Sequence, residues 1–163
     1  CTHPRDFEPI PGSLEAIANL RHKGYGIVII TNQGGIAKGL MTAEDVNAIH
    51  EHMLRLLGQA GCESIDGIYY SETSSKKDIY AKPNTGMFKM CQKDIPGLRW
   101  KNSFYVGDKL TDLKAAKKVG ARPVLVRTGH GLETEKDLDK YIYKNIKNRT
   151  YVFNSLQDFA EEL

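Results

Sequence analysis

The chain has 163 residues, 40% of them hydrophobic and 26% charged, with a net charge of +3. That length suits one domain over residues 1–163 with a real core, and the composition is ordinary for a soluble globular protein. No apolar run approaches a membrane span and no signal-peptide pattern opens the chain, so we expect a cytoplasmic protein without membrane partners. Cys1, Cys62 and Cys91 share no metal-ligand spacing, and an odd number builds no disulfide framework, which points to a reducing compartment.

Pro11-Gly12 precedes Ser13, a candidate N-cap for a short helix with Leu14, Ile17, Ala18 and Leu20 on one stripe. Lys23-Gly24 ends it, and Ile27–Ile30 reads as a buried strand. Thr42, with Asp45 three residues on, marks the start of a longer helix whose apolar face is Val46, Ile49, Met53, Leu56 and Leu57; Gly61 closes it. Ile65–Tyr70 is a second strand, followed by the polar, flap-like stretch SETSSKKDIYA. Asn84 is a candidate cap for the helix carrying Met87, Met90 and Cys91. SFYVG is a third strand, Asp108 to Val119 a helix ending at Gly120, and Pro123–Val126 a fourth strand. Lys136, Lys140, Lys144, Lys147 and Arg149, interleaved with tyrosines and acids, read as a solvated, helix-leaning surface and not as a nucleic-acid groove. YVFNS and a closing helix, LQDFAEEL, complete the chain.

Strands alternating with helices predict an α/β fold with a parallel sheet and helices on both faces, in which ligands sit beyond the carboxyl ends of the strands. Polar residues collect at those ends. Thr31 and Asn32 offer a hydroxyl and an amide, and Gln33, Gly34 and Gly35 follow them. The glycines can bring backbone N–H groups close to an anion, with Lys38 adding charge; an Asx or threonine turn needing no ligand fits the same residues. Lys82 precedes a helix start, where anions are favoured, although a lone Lys-Pro is usually surface. Asp108 follows a strand directly, Lys109 is next, and Asp112 lies one helical turn on, so both carboxylates can address one Mg²⁺ or simply favour the helix N-terminus. Together these signals describe a Mg²⁺-assisted phosphoryl-transfer site.

With TNQGGIAKG, AKPNTGMF and YVGDKLTDLKAAKKVGARPVLVRTGHG in this order, the chain resembles the haloacid dehalogenase superfamily of phosphatases. Within it, the pattern is similar to the branch that contains heptose bisphosphate phosphatases and histidinol-phosphatase domains. FEPIPGSLEAIANLRHKGY and VFNSLQDF extend the likeness over nearly the whole chain. The resemblance implies a three-layer Rossmann-like sandwich without a large cap domain, acting as a monomer on a small phosphorylated metabolite such as a sugar phosphate.

Carried over by position, Thr31 and Asn32 bind the transferring phosphoryl group, Lys82 stabilises it and the nucleophile, and Gln33, Gly34, Gly35, Lys38 and Lys109 lie along the substrate phosphate. Asp108 coordinates Mg²⁺, with Asp112 supporting it from behind.

Two departures qualify the likeness. The superfamily opens on an apolar strand ending in Asp-x-Asp, which supplies the nucleophile and the general acid and base. Asp6 follows no apolar strand, so both aspartates and the central first strand are expected upstream of Cys1; a noncatalytic phosphate-binding module is the alternative from another class. Many members of the branch hold zinc through Cys and His before Lys-Pro, whereas residues 71–81 contain neither, so no zinc is expected there. Ala81 and Lys38 stand where bisphosphate phosphatases often carry arginines, and lysine does not reproduce a bidentate phosphate grip. TNQ, GIAKG and KPNTGM also resemble nucleic-acid 3′-phosphatases, an alternative that the lack of a basic groove disfavours.

Overall fold

The computed structural model describes residues 3–163, so Cys1 and its expected lack of metal-ligand spacing lie outside the described residues. Five strands alternate with helices: α1 (Ser13–His22), β1 (Val28–Asn32), α2 (Ala43–Gln59), β2 (Gly67–Ser71), α3 (Gly86–Asp94), β3 (Phe104–Gly107), α4 (Leu110–Val119), β4 (Arg122–Val126), α5 (Gly131–Leu138), α6 (Lys144–Lys147), β5 (Tyr151–Phe153) and α7 (Leu156–Glu162). All pairing is parallel, in two sheets ordered β1-β2 and β3-β4-β5. The register runs from Val28 opposite Gly67 to Asn32 opposite Ser71 in the first sheet, and Phe104 faces Arg122 in the second.

Helices cover both faces, as the alternation along each strand requires. Tyr105 and Ile30 point to the side where α3 and α4 contribute Met87, Phe88, Cys91, Ala115 and Ala116. Phe104 and Val106 point to the other, against Ala16 and Leu20 of α1 and Phe159 and Ala160 of α7. These are the outer layers expected of a three-layer α/β sandwich.

Between the two sheets runs a cavity of about 580 Å³, walled by residues of β1 and β3 and closed by Leu20, Trp100 and Phe159. The backbone explains its walls. Ile27 O accepts from Asp66 N and Gln33 N donates to Ser71 O, so the odd-numbered residues of β1 bond β2. The N–H and C=O groups of Val28 and Ile30 therefore turn away from β2. By the same parity, Ser103 O accepts from Arg122 N, so Phe104 and Val106 turn theirs away from β4. Two parallel edges with apolar side chains thus line one slot.

Several local expectations shift. Gly12, with φ of 80°, takes the N-cap position of α1, and Ser13 is already helical without a capping bond. Thr85, not Asn84, precedes α3; the Asn84 amide donates instead to Lys76 O and Asp78 O, pinning the loop before it. Thr42 does cap α2, accepting from Asp45 N while Asp45 Oδ2 accepts from Thr42 N. The strand β1 carries on through Thr31 and Asn32 and α4 starts at Leu110, because Lys109 occupies its cap position. The late basic segment folds as α5 and α6.

Candidate active site at the strand ends

Asn32, at the end of β1, folds its carboxamide onto the main chain of Lys82: Lys82 N donates to Asn32 Oδ1 at 2.9 Å and Asn32 Nδ2 donates to Lys82 O at 3.1 Å. A side chain that both accepts from and donates to one residue fixes that residue's position and orientation. The Lys82 side chain then runs inward. Its Nζ donates to Ile30 O at 2.9 Å, Tyr105 Oη at 3.0 Å and Asp112 Oδ1 at 2.7 Å. An ammonium carries three protons, and each has an acceptor. The ion pair is nearly dry, with side-chain exposures of 11% for Lys82 and 7% for Asp112. Asn32 and Asp112 reach the same lysine from β1 and α4, so both sheets present their carboxyl ends to one side.

Asp112 has a second task. Its Oδ2 accepts from Lys109 N at 3.1 Å, capping the first turn of α4. The helix start packs so tightly on β3 that a Cβ on Gly107 would overlap the Asp112 side chain. Both Asp112 oxygens are therefore engaged by the protein. Asp108 differs: its Oδ2 accepts from His130 N at 2.9 Å and its main-chain O from Thr134 Oγ1 at 2.7 Å. Among the described residues its Oδ1 takes no protein donor. Gly129, with φ of 61°, lets the loop lie against Asp108; a Cβ there would overlap Asp108 Oδ2.

A hard divalent cation such as Mg²⁺ takes oxygen ligands, keeps several waters and uses one or two carboxylates plus a substrate phosphate. Asp108, with one uncommitted oxygen beside the strand ends, fits that demand, and Asp112 fits as the group that orders its surroundings. Among the described residues no group of three or more His, Cys, Asp or Glu gathers as a metal cluster.

The remaining sequence candidates are placed less tightly. Thr31 is half-buried in β1, and its hydroxyl has no protein partner among the described residues. Gln33 N donates to Ser71 O at 2.7 Å, which splices the loop of residues 33–41 onto the end of β2. A Cβ on Gly34 would meet the Ser74 side chain and one on Gly35 the Met41 side chain; the amides of both have no protein acceptor among the described residues. Lys38 and Lys109 are exposed, and neither side chain is held by the protein among the described residues. Ala81, before Lys82, is fully buried.

Three contributors lie outside the residues that the sequence singled out. Tyr105 reads as a core aromatic, and no spacing rule marks its hydroxyl as reaching Lys82. Burial, and secondarily the Asp112 carboxylate, hold its phenol well above the usual tyrosine value, so it stays protonated at neutral pH. His130 contributes its main-chain N–H to Asp108, not its ring, and Thr134, buried in α5, supports Asp108 from behind.

The chain is similar to several known proteins. The model of the polynucleotide kinase 3 phosphatase family matches residues 3–120. A D-glycero-beta-D-manno-heptose-1,7-bisphosphate 7-phosphatase of Neisseria meningitidis is 36% identical over 160 residues, covering 96% of this chain and 81% of that protein. The crystal structure of a D,D-heptose 1,7-bisphosphate phosphatase from B. bronchiseptica, complexed with magnesium and phosphate, superposes with a TM-score of 0.87 at 32% identity, over 99% of this chain and 86% of that one. A haloacid dehalogenase-superfamily hydrolase from Ehrlichia chaffeensis shares the fold, with a TM-score of 0.62 at 17% identity over 96% of this chain and 58% of that one.

Proposed function

Since the chain belongs to the polynucleotide kinase 3 phosphatase family, within the haloacid dehalogenase-type phosphatases, we propose that it hydrolyses a small sugar phosphate such as D-glycero-D-manno-heptose 1,7-bisphosphate with Mg²⁺. The observation that carries this reading is the dry Lys82–Asp112 pair, fastened by Asn32, beside an Asp108 with an open oxygen. Bound there, Mg²⁺ supplies charge neutralisation for the phosphoryl oxygens. Asp108 holds it, Asp112 fixes the position of Lys82, and the free amides of Gly34 and Gly35 with the Thr31 hydroxyl bind phosphate oxygens. Lys38 and Lys109 raise the local concentration of an anionic substrate.

The nucleophile, in this reading, is an aspartate at the end of an apolar strand seated in the slot between β1 and β3. Both walls offer parallel ladder edges, and the slot is lined by apolar groups. Phe7 packs against the Met41, Val46 and Ile49 cluster, beside the carboxyl end of β1. A parallel strand in the slot leaves at that end, so it delivers its last residues to Lys82 and Asp108. The aspartate attacks phosphorus and displaces the sugar hydroxyl, giving an aspartyl-phosphate that water hydrolyses to inorganic phosphate and the free carboxylate.

The test is phosphate release by the full-length protein from heptose bisphosphate, other sugar phosphates, histidinol phosphate and a 3′-phosphorylated oligonucleotide, with Mg²⁺ and with chelator. Magnesium-dependent release from a sugar phosphate, abolished in Asp108→Asn, is the expected result. Preference for the oligonucleotide, which the family's description favours, makes the protein a nucleic-acid 3′-phosphatase. Phosphate binding without release by any substrate leaves a noncatalytic phosphate-binding module.

A further inference from the structure

We propose that Tyr105 is a positioning residue for the Lys82 ammonium, its buried hydroxyl being the link that ties β3, β1 and the lysine into one fixed point. The consequence for turnover rests on the phosphatase reading above; the placement itself does not.

The Lys82 side chain is a flexible four-carbon stem, and its charge stays in one place only if its surroundings hold it there. Three acceptors do so from three elements: Ile30 O on β1, Asp112 Oδ1 on α4 and Tyr105 Oη on β3. Two fixed points leave a side chain free to swing about the line between them; a third removes that freedom. The Asp112 oxygen supplies the opposite charge. Tyr105 supplies an acceptor without charge, and its hydroxyl simultaneously donates to Ile30 O at 3.1 Å. A hydroxyl can accept and donate at once, which neither a carboxylate nor a carbonyl can do.

The ring is locked as firmly as the hydroxyl. Its centroid lies 4.9 Å from that of Phe88, and the residue is 9% exposed. Alternation along β3 explains why: Tyr105 faces the α3–α4 layer, while Phe104 and Val106 face α1 and α7. The Tyr105 hydroxyl bonds both Lys82 Nζ and Ile30 O, so the lysine and the end of β1 share one partner. Phenylalanine would keep the ring contacts and lose only this link.

The experiment compares Tyr105→Phe with the full-length wild-type protein in two readouts. The first is the ammonium signal of isotope-labelled lysine by NMR, assigned through its loss in Lys82→Arg. Hydrogen-bonded ammonium protons exchange slowly, so the Tyr105→Phe signal is expected to shift and broaden. The second is steady-state phosphate release, where kcat is expected to fall about tenfold with KM changed less than about twofold, the cost of one positioning hydrogen bond. Tyr69→Phe, which removes a hydroxyl bonded to Asp94 at the end of α3, serves as the control and should alter neither. A Lys82 signal that superimposes on wild type in Tyr105→Phe overturns the inference, whatever the kinetics. A shifted signal in a protein whose wild type releases no phosphate from any substrate upholds Tyr105 as the lysine's anchor and removes the phosphatase reading instead.

Discussion

Lys82–Asp112 and Arg127–Glu135 are both ion pairs near the carboxyl ends of strands, and by bond count the second is the better one. Arg127 grips Glu135 with two hydrogen bonds of 2.8 Å and reaches Asn154 with a third. Its side chain is 37% exposed and that of Glu135 is 34% exposed, against 11% and 7% for Lys82 and Asp112. Water can replace a lost partner at Arg127 but not at Lys82. The acceptors differ too: Arg127 is spent on side chains that fasten α5 and the end of β5 to β4, whereas one acceptor of Lys82 is a main-chain carbonyl on an open ladder edge. Burial, and the kind of acceptor the cation holds, distinguish the two pairs more sharply than the quality of the salt bridge.

The contrast can be broken by substitution, and the largest effect is expected at the buried lysine. Lys82→Met leaves the Asp112 carboxylate buried without its cation, and chemical denaturation should show a loss of about 3–5 kcal/mol. Phosphate release should fall by about 10³-fold, since a preorganised cation near the phosphoryl group is lost. Wild-type stability in Lys82→Met would place this pair with the surface ones.

Gly107→Ala tests how closely α4 must approach β3. The new Cβ overlaps the Asp112 side chain, so overpacking should cost about 1–3 kcal/mol, read from the same denaturation curves. Asn32→Ala removes both bonds that hold the Lys82 main chain, and about 1–2 kcal/mol should follow. In this variant kcat should drop further than stability alone explains, because the lysine is no longer aimed.

The smallest effect is expected at the exposed pair, and it carries a pH signature. The hydrogen bond from Arg127 chiefly holds the Glu135 carboxyl below its ordinary value of 4.5. A carboxyl lowered in the folded state stabilises fully above its unfolded value and loses that contribution as pH falls through the lowered one. The difference in melting temperature between wild type and Glu135→Gln should therefore be small and constant at neutral pH, and should close as pH drops below about 4.5. A difference that widens toward acid would contradict the assignment of Arg127 as the cause.

Much of the fold was legible along the chain because its signals are local. Val28, Ile29 and Ile30 are β-branched and apolar, Thr42 and Asp45 have capping spacing, and Gly120 ends α4 with φ of 80°. The polar residues at the ends of β1 and β3 stood out for the same reason: a buried strand that turns polar in one step needs an explanation. The capping errors at Ser13 and Asn84 arose where a neighbour competed. Gly12 accepts the left-handed backbone at the start of α1, and the carbonyls of Lys76 and Asp78 claim the Asn84 amide.

The sequence by itself determined the alternation of strands and helices and the parallel pairing this implies, and it marked Thr31, Asn32, Lys82, Asp108 and Asp112 as candidates for handling phosphate and a hard cation. Each depends on residue type and on spacing within one element. Only the tertiary structure decided that Asn32 grips the main chain of Lys82 across 50 positions and that Tyr105, 23 positions from the lysine, supplies one of its acceptors. Only there do the open edges of β1 and β3 face one cavity. Side-chain direction follows from the two-residue period of a strand, but what stands opposite depends on how strands far apart in sequence come together, and no local pattern encodes that.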